Sequence, residues 1–137
     1  MKKIALVGCL LLLAGSMSQA AVSEIVGGVR DGAALGMQLE SSVAKNLTLR
    51  GALEFNSGSQ PFIALVGVKA PIAGIGRMPL GLGIGLVGYF GNNKNEVGLS
   101  LSFIFGNFLD FKPLFLELGI DAVTRGRLLA QLGYKIY

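Results

Sequence analysis

Apolar and polar residues alternate one by one through most of the chain after residue 20, which is the period of a β-strand. The alternation is clearest over residues 96–105, where the odd-numbered positions are apolar and the even-numbered ones polar or small until Ile104 breaks the pattern. Residues 47–56 and 127–137 repeat it. Because alternate side chains of a strand point to opposite faces of a sheet, each segment predicts a strand with one apolar face.

The same pattern predicts eight strands of roughly ten residues, which is the length that a tilted strand needs to cross a bilayer. The predicted strands are 23–30, 33–43, 47–56, 61–70, 78–90, 96–105, 114–122 and 127–137. Most are separated by short polar turns such as Asp31-Gly32, whereas 71–77 and 106–113 are predicted to be longer connections. We therefore predict an all-β fold, a closed eight-stranded antiparallel up-and-down transmembrane β-barrel.

The volume of the apolar side chains indicates which face of the sheet points outward. A soluble barrel turns its apolar face inward, and a membrane barrel turns it towards lipid. Most residues on the apolar face are Leu, Val, Ile or Phe, and the narrow interior of an eight-stranded barrel could not hold them all. The opposite face is rich in glycine and serine, which leave room for long charged neighbours. We therefore expect the apolar face to meet lipid.

Charged residues of the predicted strands all fall on the polar face, which predicts a network of charges inside the lumen. The acidic members are Glu24, Glu40, Glu54, Glu117 and Asp121, and the basic members are Arg30, Arg50, Lys69, Arg127 and Lys135. A closed lumen needs such a balance, because a buried unpaired charge costs several kcal/mol. The alternative is that these are ordinary charges on a water-exposed surface.

Aromatic residues concentrate near the predicted strand ends, as in the two interfacial girdles of membrane barrels. One predicted girdle contains Phe55, Phe62 and Phe90, and the other contains Phe105, Phe115, Tyr134 and Tyr137. Chance placement of aromatic residues near strand ends is the alternative interpretation.

Residues 1–20 have the three parts of a cleavable signal peptide. Lys2 and Lys3 precede an apolar run, and Ser18-Gln19-Ala20 offers a small-x-small cleavage site. An uncleaved anchor and a lipoprotein leader ending at Cys9 are the alternatives. Cys9 is the only cysteine of the chain, so a mature chain of residues 21–137 would contain neither disulfides nor cysteine–metal sites.

The C-terminal strand carries the most specific family likeness. Apolar residues alternate from Leu128 to Ile136, and the chain ends at the aromatic Tyr137, one position past the apolar series. With this ending, the chain resembles the small eight-stranded outer-membrane β-barrel proteins of Gram-negative bacteria. The resemblance implies location in the bacterial outer membrane, contact with its lipid and insertion by the barrel-assembly machinery. It also implies an N-terminus and short turns on the periplasmic side, with longer loops outside. In this chain the outer loops, at 31–32, 57–60, 91–95 and 124–126, would be unusually short.

Four basic residues are predicted near the outer rim: Arg30, Lys94, Arg125 and Arg127. They are candidates for contact with lipopolysaccharide phosphates, and solvated loop charges are the equal alternative. Lys2 and Lys3 account for two of the 12 basic residues, so the mature chain has ten basic against eight acidic residues. This small excess does not indicate a nucleic-acid partner.

Candidate chemistry is sparse. The chain has no histidine, which removes the commonest general base and metal ligand, and we expect no catalytic, cofactor or metal site. Residues 83–88 match a dinucleotide-binding glycine pattern but lie within a predicted strand with no helix after it. Glu117 and Asp121 could pair for acid–base chemistry, yet salt-bridged filling of the lumen is the simpler interpretation.

The sequence thus predicts a structural or envelope-associated, non-catalytic outer-membrane barrel with a narrow salt-bridged lumen. A small ion or solute channel is the second hypothesis, and a soluble lipocalin-like periplasmic carrier is the third. An enzyme acting through Glu117 or Asp121 comes last.

Overall fold

In the computed structural model, the alternating segments pair in sequence order and β8 pairs back with β1, which closes the sheet into an antiparallel up-and-down barrel. The structure describes residues 22–58, 60–91 and 94–136. The strands are β1 (Val22–Arg30), β2 (Ala33–Ala44), β3 (Leu47–Asn56), β4 (Phe62–Ile75), β5 (Met78–Phe90), β6 (Glu96–Phe105), β7 (Leu114–Ala122) and β8 (Gly126–Ile136). The predicted eight-stranded fold is therefore confirmed, while the predicted leader and Tyr137 lie outside the described residues.

The β4–β5 hairpin is longer than the sequence predicted. A connection was predicted over 71–77, but β4 continues to Ile75, and only two residues separate it from β5. Pro71 has no backbone N–H to donate to the ladder, which disfavours a proline inside a strand. A shift of register between Pro71 and Ala73 accommodates the proline within the hairpin. The predicted connection at 106–113 is present and contains a 3-10 turn at Phe108–Asp110.

The two faces of the barrel differ in polarity as the alternation predicted: large apolar side chains point outward, and charged side chains point inward. On the outside, Leu99 and Leu128 are 59% and 75% exposed. On the inside, Arg30 and Glu117 are 2% and 1% exposed. The glycine pattern residues 83–88 lie within β5, on a strand and not at a strand-to-helix turn.

Two glycines allow neighbouring strands to approach closely on the inside. A Cβ atom at Gly36 would lie 2.2 Å from the carbonyl oxygen of Leu53, and one at Gly119 would lie 2.2 Å from that of Leu101. Both contacts involve backbone, which cannot move without disturbing the ladder. The missing side chains thus leave space in the lumen for the long charged residues.

The lumen contains apolar side chains beside the predicted charges. One apolar cluster consists of Ala52, Ile63, Leu65, Val87 and Tyr89, with Val123 packed against it. A second consists of Val26, Ile104 and Phe115. These residues occupy inward positions between the charged ones, where they fill volume that ion pairs alone would leave as voids.

Candidate functional site

The candidate site is the lumen, and its two ends are distinguished by their connections. The turn end carries the connections β1–β2, β3–β4, β5–β6 and β7–β8. The terminal end carries the starts of β1 and the end of β8, together with the connections β2–β3, β4–β5 and β6–β7. Polar contacts between inward side chains extend from one end to the other.

Arg127 organises the turn end. Its side chain is 4% exposed and forms an ion pair with Glu96. It also donates hydrogen bonds to Asp31 Oδ2 at 2.9 Å and to Gln60 Oε1 at 2.9 Å. Its guanidinium carbon lies 4.2 Å from the ring centroid of Tyr89, a cation–π contact. Four groups thus contact this one side chain at the turn end, and Thr124 adds a hydrogen bond to one of them, Glu96.

Arg30 organises the next layer. It forms an ion pair with Glu54, and its Nε lies 3.0 Å from Asp121 Oδ2. The hydroxyl of Tyr89 donates to Asp121, and the amide of Gln131 donates to Glu54. Each buried carboxylate therefore has one cationic and one neutral partner, which is how a protein interior tolerates a buried charge.

Arg50 and Glu117 form the layer below. Arg50 Nη2 donates to both carboxylate oxygens of Glu117, at 2.8 and 3.0 Å, and to Gln38 Oε1 at 3.0 Å. Ser102 donates its hydroxyl to Glu117 at 2.6 Å. Arg50 and Glu117 are 3% and 1% exposed, so the pair is shielded from the surroundings.

Glu40 and Glu24 lie nearest the terminal end. Glu40 accepts two hydrogen bonds from Lys69 Nζ, at 2.6 and 2.7 Å. Glu24 is 0% exposed and accepts a hydrogen bond from Gln38 at 2.6 Å. Lys135 is the β8 neighbour of Glu24 in the ladder. Within the described ranges, however, no carboxylate oxygen lies within 4.0 Å of its ammonium.

The structure gathers the ten charged residues predicted for the network on the inside of the barrel. Eight of them form ion pairs, whereas Glu24 and Lys135 form none with a described residue. Sequence reasoning missed several partners: Asp31, Gln38, Gln60, Tyr89, Glu96 and Gln131. Most of them lie on the face of their strand that carries its charged, polar or small residues. The alternation between the two faces of a strand, which we call strand parity, was the signal that could have found them. Asp31 and Gln60 lie in the connections that follow β1 and β3, where the alternation gives no information.

Two of the four basic residues predicted at the outer rim are inside the lumen. Arg30 and Arg127 are 2% and 5% exposed and are engaged by carboxylates, so neither presents its charge to an external phosphate. The side chains of Lys94 and Arg125 are 71% and 69% exposed. Both residues belong to the predicted lumen network, and their place on the polar face of a strand, not their closeness to its end, decides where their side chains point.

Aromatic rings meet on the outside at both ends. At the turn end, the ring centroid of Phe62 lies 6.1 Å from that of Phe55 and 6.2 Å from that of Phe90. At the terminal end, the centroids of Phe111 and Tyr134 are 6.1 Å apart. Phe105 is partly exposed at the end of β6.

Phe115 does not belong with these outward aromatic residues. It is 2% exposed and packs against Val26 and Ile104 inside the barrel. Its ring covers Gly133, where a Cβ atom would come within 1.9 Å of Phe115 Cζ. In β7 the outward positions are the even-numbered ones, so Phe115 points inward despite its place near a strand end.

A cavity of about 140 Å³ lies at the terminal end of the lumen, and we call it the vestibule. Its lining combines two lysines with apolar and small residues: Thr48, Lys69, Pro71, Pro79, Leu80, Gly81, Ile104, Gly106, Phe115 and Lys135. Pro71 and Pro79 are exposed, so the vestibule opens to the surroundings.

Within residues 22–58, 60–91 and 94–136, no group of three or more His, Cys, Asp or Glu side chains is arranged to hold a metal ion. The same part of the chain contains no helix that is both long and apolar enough to cross a membrane. No protein-family model, curated protein or solved structure matches the chain.

Proposed function

We propose that the chain is an integral outer-membrane β-barrel with a narrow salt-bridged lumen, and that its role is structural or envelope-associated and non-catalytic. The observation that carries this proposal is the arrangement of the two faces. Large apolar side chains such as Leu35 at 63%, Val97 at 67% and Leu128 at 75% exposure surround the barrel, while arginines and carboxylates fill its interior.

Water is a poor solvent for such an exterior. Soluble monomers rarely expose a continuous apolar surface of more than a few hundred Å². Hydrocarbon, in contrast, accepts an apolar exterior, and it requires a sheet without free edges because no water is present to satisfy the backbone. The closed strand order and the outward apolar residues meet both requirements. The soluble carrier is less well supported, since a carrier barrel would keep its apolar residues inside.

The contacts inside the lumen favour a structural role over a channel. Arg127 and Arg30 each join side chains from different strands across the lumen. Tyr89 links them, because its ring contacts Arg127 and its hydroxyl donates to Asp121, a partner of Arg30. An eight-stranded barrel has little interior volume beyond that of its own side chains. A continuous aqueous path would require the Arg127 contacts at the turn end to separate.

Membrane fractionation combined with gel mobility tests the proposal. The protein should remain in the outer-membrane pellet after washing with alkaline carbonate, and unheated protein should migrate differently from heated protein in detergent gels. Release of folded protein into buffer without detergent would overturn the membrane assignment.

Planar bilayer recordings then separate a filled barrel from a channel. We expect the inserted protein to give no unitary conductance steps. Regular steps that change when Arg127 is replaced by Gln would instead establish the channel and refute the filled lumen.

A further inference from the structure

The vestibule has the size and the chemistry of a binding site for a small ligand. A protein cavity of about 150 Å³ can hold one benzene ring, and the vestibule measures about 140 Å³. A ligand that fits would contain one six-membered ring or a short aliphatic chain.

The charged residues that line the vestibule determine which charge a ligand should carry. Lys69 and Lys135 line the cavity, whereas Glu24 and Glu40 do not. The ammonium of Lys69 is already bound to Glu40. Lys135 makes no ion pair with any described carboxylate, and Glu24, its neighbour across the ladder, accepts a hydrogen bond from Gln38. A cation with no carboxylate partner among the described residues, beside an apolar wall, favours an anion with an apolar body.

The remaining lining supplies that apolar wall. Ile104 and Phe115 belong to a buried cluster at this end of the lumen, and Leu80 with the two prolines completes the surface. Burial of a ring against these side chains would remove apolar surface from water on both partners. The hydroxyl of Thr48 adds a polar group to the lining.

We propose that the vestibule binds a small organic monocarboxylate of about one ring in size, with its carboxylate on Lys135 and its apolar body against Ile104 and Phe115. This inference goes beyond the proposed structural role and does not rest on the bilayer, because it uses only the terminal end of the barrel. It holds equally for a barrel in a membrane and for one in water.

Benzoate is the probe for a first test, with benzamide as a neutral molecule of the same shape and inorganic phosphate as an anion without an apolar body. The folded protein is titrated in the medium in which it is stable, and binding is followed by amide chemical shifts. Benzoate should give saturable shifts at Gly81, Gly106 and Lys135. Benzamide and phosphate should bind at least tenfold more weakly. Absence of saturable benzoate shifts, or equal binding of all three probes, would overturn the proposal.

Variants test the two halves of the site separately. Lys135→Gln should weaken benzoate binding about tenfold, because it removes a charge-assisted hydrogen bond. Lys112→Gln is the matched control, since Lys112 is exposed in the 106–113 connection and does not line the cavity. Equal weakening by both variants would indicate general attraction to a basic end of the protein and would refute the assignment to Lys135.

Gly81→Val tests the volume of the vestibule without changing its charge. A Cβ atom at Gly81 would have Lys69 Cγ as its nearest neighbour, at 3.4 Å, which is ordinary contact. The new side chain should fill part of the cavity and abolish benzoate binding while the barrel remains folded. Unchanged affinity in a folded Gly81→Val protein would mean that benzoate binds elsewhere. If that variant does not fold, the comparison of Lys135→Gln with Lys112→Gln still decides the proposal.

Discussion

Replacing Glu117 by Gln should destabilise the barrel by about 3–5 kcal/mol, the usual effect of removing one partner from a buried ion pair. The change preserves the size of the side chain and removes only its charge. Arg50 would then remain charged within the lumen, with its carboxylate neighbour Glu40 at 3.6 Å as the nearest described alternative. The decrease in the free energy of unfolding therefore measures how far the lumen excludes water.

The distance between the charges gives the scale of the effect. Opposite unit charges at the observed 2.8 Å attract each other by about 6 kcal/mol at an effective dielectric constant of about 20. In bulk water the attraction falls to about 1.5 kcal/mol. Because the two groups are 3% and 1% exposed, the larger attraction applies, and it is opposed by the cost of desolvating both groups.

Urea unfolding in detergent micelles measures the effect. The chain has no tryptophan, so circular dichroism of the strands and the mobility of unheated protein on gels are the suitable signals. Asp110→Asn is the matched control, because Asp110 is an exposed carboxylate in the 106–113 connection and its replacement should cost less than about 0.5 kcal/mol. The double variant with Arg50→Gln should be less destabilised than the sum of the two single variants.

A small effect would refute the reasoning. Exposed ion pairs contribute only about 0–1 kcal/mol. If Glu117→Gln costs less than about 1 kcal/mol, water screens the pair and the lumen is hydrated. The channel hypothesis would then gain support, and the structural role would need to be reconsidered.

Three further changes test the two faces and the packing of the barrel by the same unfolding measurement in lipid vesicles. Leu101→Arg, at the middle outward position of β6, should cost about 2–4 kcal/mol in a bilayer, whereas a loss of less than about 0.5 kcal/mol would favour a water-exposed surface. Arg127→Gln should lower the free energy of unfolding by about 3 kcal/mol or more, because the Arg127 side chain is only 4% exposed. Arg125→Gln is the control and should cost less than about 1 kcal/mol, because the Arg125 side chain is 69% exposed. Equal losses would contradict a closed turn end. Gly119→Ala should cost about 1–3 kcal/mol through its contact with backbone, while Gly81→Ala should be tolerated; a stable Gly119→Ala protein would show that the strands can separate there.

Much of the fold could be predicted because the alternation is a local property. In β6 and β8, whether a residue is apolar or polar already indicates the face of the sheet to which its side chain points. The inward positions of the ten predicted charges follow from that alternation, whereas their pairing does not: Glu24 and Lys135 have no ion-pair partner among the described residues. Parity also shows why Arg30 and Arg127 point inward although both lie near strand ends.

Other features depend on contacts that a local pattern does not contain. Ile63 and Tyr89 are both buried at 0% exposure, and only the pairing of β4 with β5 places these two residues side by side. Phe115 was assigned to a girdle from its place in the chain, whereas its partner Gly133 lies on β8. The extension of β4 through Pro71 depends on a bulge against β5, which the composition of 71–77 does not indicate.

By itself, the sequence determined the strand period, the number of strands and the separation of charges from large apolar residues, because each of these is set by neighbouring positions in the chain. The tertiary structure decided which carboxylate each arginine binds, which apolar side chains share the interior and where the vestibule lies. Those features depend on residues far apart in sequence, such as Arg50 and Glu117, and only closure of the sheet brings them within contact distance.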